Sequence, residues 1–91
     1  MNIPAHTMKS WPAFFREMIA GKKTHDVRKK DRDFKVGQVI RLEEYEPFGG
    51  GYSGRSADFE ITYITSNDTP CAMSSVVLDR DHCILSLKHL G

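Results

Sequence analysis

Ser10-Trp11-Pro12-Ala13-Phe14-Phe15-Arg16-Glu17-Met18-Ile19-Ala20-Gly21 is the stretch whose reading decides the fold. Trp11, Phe14, Phe15, Met18 and Ile19 fall at i, i+3, i+4, i+7 and i+8, an apolar stripe about one helix face wide. Ser10 stands where an N-cap belongs, and Pro12 falls in the first turn, where its missing N–H is harmless. Gly21 is placed to end the helix in the left-handed conformation. The stripe has the spacing of a helix packed on a sheet rather than that of an open platform for stacking bases.

On either side of this helix the sequence reads as strand. Upstream, Ala5 to Lys9 forms a short opening strand. Downstream the period changes to two, and Thr24–Arg28 is expected as a strand with Thr24, Asp26 and Arg28 on one face and His25 and Val27 on the other. A polar connection, Lys29-Lys30-Asp31-Arg32-Asp33, leads to Phe34 and Val36, which return to the core, and to a turn at Val36-Gly37. Gln38–Glu46 alternates Ile40 and Leu42 against Arg41 and Glu43, and the shift at Glu43-Glu44 marks a bulge. Pro47–Gly54 reads as a glycine-rich loop. Arg55–Thr65 then reads as a long strand with Phe59, Ile61 and Tyr63 on one side and Glu60, Thr62 and Ile64 on the other. Val76-Val77-Leu78 and Cys83–Leu87 read as two closing strands around the turn Asp79-Arg80-Asp81. One helix and five to six strands, mostly in hairpin order, predict an α+β fold: a small β-pseudobarrel with one N-terminal helix.

The 91 residues are expected to make one domain, 1–91, with ordinary apolar (40%) and charged (27%) content for a globular chain. No apolar run approaches the roughly 20 residues that cross a bilayer. Met1-Asn2-Ile3-Pro4-Ala5-His6 lacks the charged and apolar regions of a secretory signal, so a cytoplasmic location without membrane attachment is expected. Cys71 and Cys83 have neither the number nor the spacing of a disulfide framework or zinc site, and no metal or cofactor is expected. The net charge of +1 hides an asymmetry. Residues 1–35 carry nine Lys/Arg against four acids, and residues 36–91 carry four against eight. This pattern favours a local anion-binding surface.

Four segments invite a functional reading. Gly49-Gly50-Gly51 lacks the Gly-Lys-Ser/Thr and the following helix of a phosphate loop, so it reads as a hairpin loop that carries Tyr52 and Arg55 near its tip. Glu43, Glu44 and Glu46 read as a solvated acidic face. Lys29, Lys30 and Arg32 read either as a solvated hairpin or as phosphate contacts, which add affinity without sequence specificity. The sharpest is Gly21-Lys22-Lys23-Thr24-His25-Asp26-Val27-Arg28, in which Asp26 and Arg28 pair on one strand face and Lys23 stands at the strand's mouth as a free cation. Such a set suits a phosphate, a nucleobase edge or a polarised carbonyl. Its bland reading is a structural ion pair.

The order of that motif, Gly21-x-Lys23-x-x-Asp26-x-Arg28, resembles the Gly-x-Lys-x-x-Glu-x-Arg signature of ASCH domains, a branch of the PUA-like superfamily. His6-Thr7-Met8-Lys9, the Trp-Pro-x-Phe-Phe helix start, the Arg-Lys-Lys-Asp-Arg-Asp-Phe-Lys-Val-Gly run and Gly51-Tyr52-Ser53-Gly54-Arg55 are similar to a short bacterial and phage subfamily of unknown function. The resemblance implies a pseudobarrel with a ligand cleft beside the signature, lined by Lys23, Asp26 and Arg28. It also implies RNA, or modified nucleosides and bases, as ligands. Some small ASCH proteins resemble amidohydrolases of a modified cytidine that use a lysine, a threonine and a distant glutamate. Lys23 matches the lysine, Asp26 holds the threonine's position, and no residue is assigned to the glutamate.

The leading expectation is therefore a PUA-like nucleic-acid-binding module for RNA, monomeric, with Lys22, Lys23, Thr24, Asp26, Arg28, Lys29, Lys30, Arg32, Tyr52 and Arg55 as binding residues. Tyr52 stacks on a base in this reading. An alternative is a small hydrolase of a modified nucleoside or RNA, in which Lys23 and Asp26 carry the chemistry. A third is a phage-encoded adaptor that binds a protein, which an exposed apolar patch would favour.

Overall fold

The computed structural model describes residues 3–68 and 79–91. Its elements run β1 (His6–Ser10), α1 (Pro12–Ile19), β2 (His25–Lys29), β3 (Val39–Glu46), β4 (Gly51–Thr65) and β5 (His82–His89). The five strands form one sheet, ordered β1-β3-β4-β5-β2, that curls into a half-barrel with the helix beside it, the expected α+β pseudobarrel. Hairpin order holds only for β3-β4-β5. Strand β1 pairs parallel with β3, and β2 crosses to pair antiparallel with β5. A parallel pair needs a crossover, and here α1, β2 and the polar connection supply it. Strands β1 and β2 are thus left at the two edges of the sheet.

The inner face is apolar where the alternation predicts it. Met8, Ile40, Leu42, Phe59, Ile61, Cys83, Leu85 and Leu87 are buried together with Phe15 and Met18 of the helix. The register slips between Glu43 and Tyr45, where the sequence marks a bulge. A second slip, between Ile61 and Tyr63 on β4, overturns the predicted faces beyond it. One extra residue in a strand exchanges the faces that follow. Tyr63 therefore points out, and Ile64 packs against the core.

Three local expectations also give way. Ser10 is not the N-cap, because it is the last, buried residue of β1, paired with Glu44. Trp11 takes the cap position in extended geometry with no side-chain cap, and its carbonyl accepts from the Phe14 and Phe15 amides. The loop predicted over residues 47–54 is only a turn at 47–50, since β4 already begins at Gly51. Val36 is 60% exposed, leaving Phe34 alone to pack against the core from that connection. The helix end follows expectation. Gly21 has φ +78°, its N–H bonds to the Met18 carbonyl, and the Lys22 N–H reaches back to Glu17, a Schellman closure. The predicted strand Val76-Val77-Leu78 and Cys71 lie outside the described residues.

Candidate ligand-binding site

The half-barrel leaves β1 and β2 as two unpaired edges facing each other, and side chains rather than a backbone ladder link them. Arg28 Nη2 donates to the Lys9 carbonyl at 2.8 Å, and Arg32 Nη1 donates to the Thr7 carbonyl at 3.1 Å. Both carbonyls lie two residues apart on β1, so they point to the same edge. The guanidiniums supply donors that a neighbouring strand would otherwise provide.

Arg28 is held for this task by the motif it belongs to. On β2, Asp26 and Arg28 are half-buried, whereas His25 and Val27 face out, as the period of two requires. Arg28 Nε donates to Asp26 Oδ2 at 2.7 Å. The other carboxylate oxygen of Asp26 lies 3.7 Å from Lys23 Nζ, which also donates to the His25 carbonyl at 2.6 Å. Lys23 is therefore not a free cation. It completes a Lys23–Asp26–Arg28 chain whose working end is the guanidinium. Thr24 is exposed, and its carbonyl accepts from the Leu87 amide, extending β2's attachment to β5.

A cavity of about 360 Å³ opens along the β1–β2 seam, lined by Thr7, Met8, Lys9, Arg28, Arg32, Glu43 and Tyr52. Lys9 lies over the Tyr45 ring, 4.3 Å from its centroid, and 5.9 Å from that of Tyr52. The two tyrosines meet edge to face at 4.9 Å, and Tyr52 remains 56% exposed. Three cations, one carboxylate and one accessible aromatic ring thus share a concave surface. That combination attracts an anion bearing a flat apolar group.

Other expected binding residues lie elsewhere. Arg55 sits over the Phe15 ring at 5.4 Å, with its guanidinium 3.9 Å from Glu44. Lys30 approaches Asp68 at 3.9 Å and lines a separate cavity of about 310 Å³ beside Cys83, whose thiol burial pushes upward in pKa. Lys22 and Lys29 are exposed. Nor do the three glutamates form a common solvated face. Glu44 is buried and accepts from Ser53 Oγ at 2.7 Å, Glu46 accepts from the Phe48 amide, and Glu43 enters the cavity.

A larger hollow of about 570 Å³, on the face of Arg41, Asp58 and His89, is a poorer site. Its guanidinium is already taken by a two-point contact with Asp58, at 2.8 and 3.0 Å, which holds that carboxyl below its ordinary pKa. Sequence reasoning missed Lys9 and Glu43. Alternation around buried Met8 places Lys9 on the opposite face, but only the parallel β1–β3 pairing sets Glu43 beside it, and only the curl of the sheet brings both to Arg28. Among the described residues, no group of His, Cys, Asp and Glu gathers closely enough to hold a metal ion, and no helix is long and apolar enough to cross a membrane.

Compared with known proteins, residues 5–87 match the model of a family described as a domain of unknown function, DUF3850. The chain is also 32% identical over 65 residues to an "Uncharacterized 12.9 kDa protein in GpA 3'region" of Escherichia phage P2. That alignment covers 71% of this chain and 58% of the phage protein, so the chain matches somewhat more than half the relative's length. The chain belongs to the DUF3850 family.

Proposed function

We propose that this DUF3850 chain is a PUA-like module of ASCH type that binds RNA in the cavity between β1 and β2. The observation that carries the reading is the placement of Tyr52's exposed ring beside Lys9, Arg28 and Arg32 in one concave seam. The curled five-stranded sheet with its one helix is in keeping with the fold that the Gly21–Arg28 signature implies by resemblance. In this reading Tyr52 stacks on a base, Lys9, Arg28 and Arg32 meet phosphate, and Glu43 accepts from a base amine. Arg28 offers its remaining donors to the ligand while Asp26 fixes its orientation. Lys23 acts on Asp26 rather than on the ligand.

The test is binding of a uridylate decamer (rU10) at several salt concentrations. Three phosphate-facing cations predict that log K falls against log salt with a slope of roughly −2 for a single strand. Lys9→Ala should flatten that slope by about 0.7. Tyr52→Ala should weaken binding roughly 5- to 150-fold with the slope kept. Absence of binding at low salt, or binding indifferent to both substitutions, overturns the reading.

A second reading, a protein-binding adaptor, draws on one observation: Trp11, Phe14 and Phe48 are exposed side by side.

A further inference from the structure

Two aromatic residues of the helical stripe do not enter the core. Phe15 and Met18 supply its buried face, yet Trp11 is 48% exposed and Phe14 51%. Their rings lie within 21° of parallel at 6.3 Å, and Phe48, 85% exposed on the turn before β4, meets Trp11 edge-on at 5.8 Å. Three large rings clustered in solvent are a functional feature more often than a structural one. Their surroundings indicate what covers them. Trp11 and Phe14 line a hollow of about 240 Å³ together with Lys9, Ser10, Asp26 and Arg28. Lys9 and Arg28 line the tyrosine cavity as well, so both hollows share one cationic divide. Trp11 follows Lys9 by two residues of extended chain, at most about 7 Å.

We infer that Trp11, Phe14 and Phe48 form a second base-stacking position, so that the ligand is a single strand running from Tyr52 across Lys9 and Arg28 onto the start of α1. This rests on the RNA reading of the tyrosine cavity and extends it from one base to two or more. A strand of nucleic acid offers in alternation what this surface offers in complement: flat apolar bases for the two ring clusters, and phosphate for the cations between them. A duplex keeps its bases stacked on one another and has no free faces to give. A free nucleoside fills one hollow only. An apolar protein surface would match the rings and leave Lys9 and Arg28 without anions.

Trp11 is the only tryptophan of the chain, so its emission reports on this position alone. The wild-type protein is titrated with rU10, with UMP, and with a decamer of the same backbone lacking bases. Affinities of Trp11→Ala, Phe48→Ala and Tyr52→Ala for rU10 are followed by anisotropy of an end-labelled strand. Quenching of Trp11 is expected with rU10 and not with the abasic decamer. Trp11→Ala should weaken rU10 binding roughly 5- to 150-fold, the equivalent of one stacked base, and UMP should bind more weakly than rU10. If rU10 binding needs Tyr52 but ignores Trp11 and Phe48, and emission stays constant, the second position is overturned while the tyrosine site stands. UMP binding as tightly as rU10 overturns it likewise. No binding of any probe overturns both readings. Sedimentation showing a dimer that Trp11→Ala dissociates assigns the rings to a second copy of the chain, which also overturns the inference.

Discussion

Arg28→Ala is expected to lower the melting temperature by roughly 5–15 °C and to weaken RNA binding by more than tenfold. Both effects have one origin. The Arg28 guanidinium bonds to Asp26 through Nε and to the Lys9 carbonyl through Nη2, and so ties the last strand of the sheet to the first. Hydrogen bonds to charged groups contribute about 1.5–3 kcal/mol each when well shielded. The Arg28 side chain keeps 23% of its surface in solvent, so the pair is worth about 1–3 kcal/mol together. In a domain of this size each kcal/mol moves the melting temperature by about 4–8 °C. Binding falls because the seam that forms the cavity loses its clasp and one of its three cations. Arg28→Lys separates the two effects. An ammonium keeps the charge but cannot reproduce the planar fork. The melting temperature should therefore fall nearly as far while most of the salt dependence survives. Thermal melts with rU10 titrations check both. A melting temperature unchanged in Arg28→Ala would mean that the edges close without the guanidinium.

Phe15→Ala has the largest expected effect on stability. Phe15 is 1% exposed, and it seats α1 on the sheet with Met18. Truncating a buried phenylalanine costs about 3–5 kcal/mol, against a total of about 5–15 kcal/mol for an ordinary domain. The melting temperature should fall by roughly 12 °C or more. Arg55, whose guanidinium rests over this ring, loses its seat as well. Phe14→Ala, one residue earlier and half-exposed, should cost under about 1 kcal/mol. Denaturant melts of the two variants decide it. Equal losses would contradict the docking described for the helix.

The contrast between Phe14 and Phe15 also shows where the sequence stops being legible. The i, i+3, i+4 spacing reveals a helix and an apolar stripe, but the helix begins only at Pro12. Trp11 is the cap residue, outside the helical repeat, and Phe14 is turned about 100° from Phe15. A stripe read as wholly internal is thus half a core and half an exposed ring cluster. On β4 the alternation places Phe59 and Ile61 correctly until the slip between Ile61 and Tyr63, which no residue type announces. In the candidate site, the period of two puts Asp26 and Arg28 together, and that local pairing is present. What Arg28 reaches for is not local. Lys9 lies nineteen residues away, on a strand whose parallel partner is β3. Lys23 illustrates the same limit in reverse, since a cation that looks free in sequence is occupied by the Asp26 carboxylate and the His25 carbonyl.

The most direct test of the central claim is an amide chemical-shift titration of the isotope-labelled wild-type protein with rU10. The largest changes are expected on Lys9, Arg28, Arg32 and Tyr52, around the β1–β2 seam, with Arg41, Asp58 and His89, around the separate hollow of about 570 Å³, unmoved. Changes centred on Arg41, Asp58 and His89, or none at all at low salt, would contradict it.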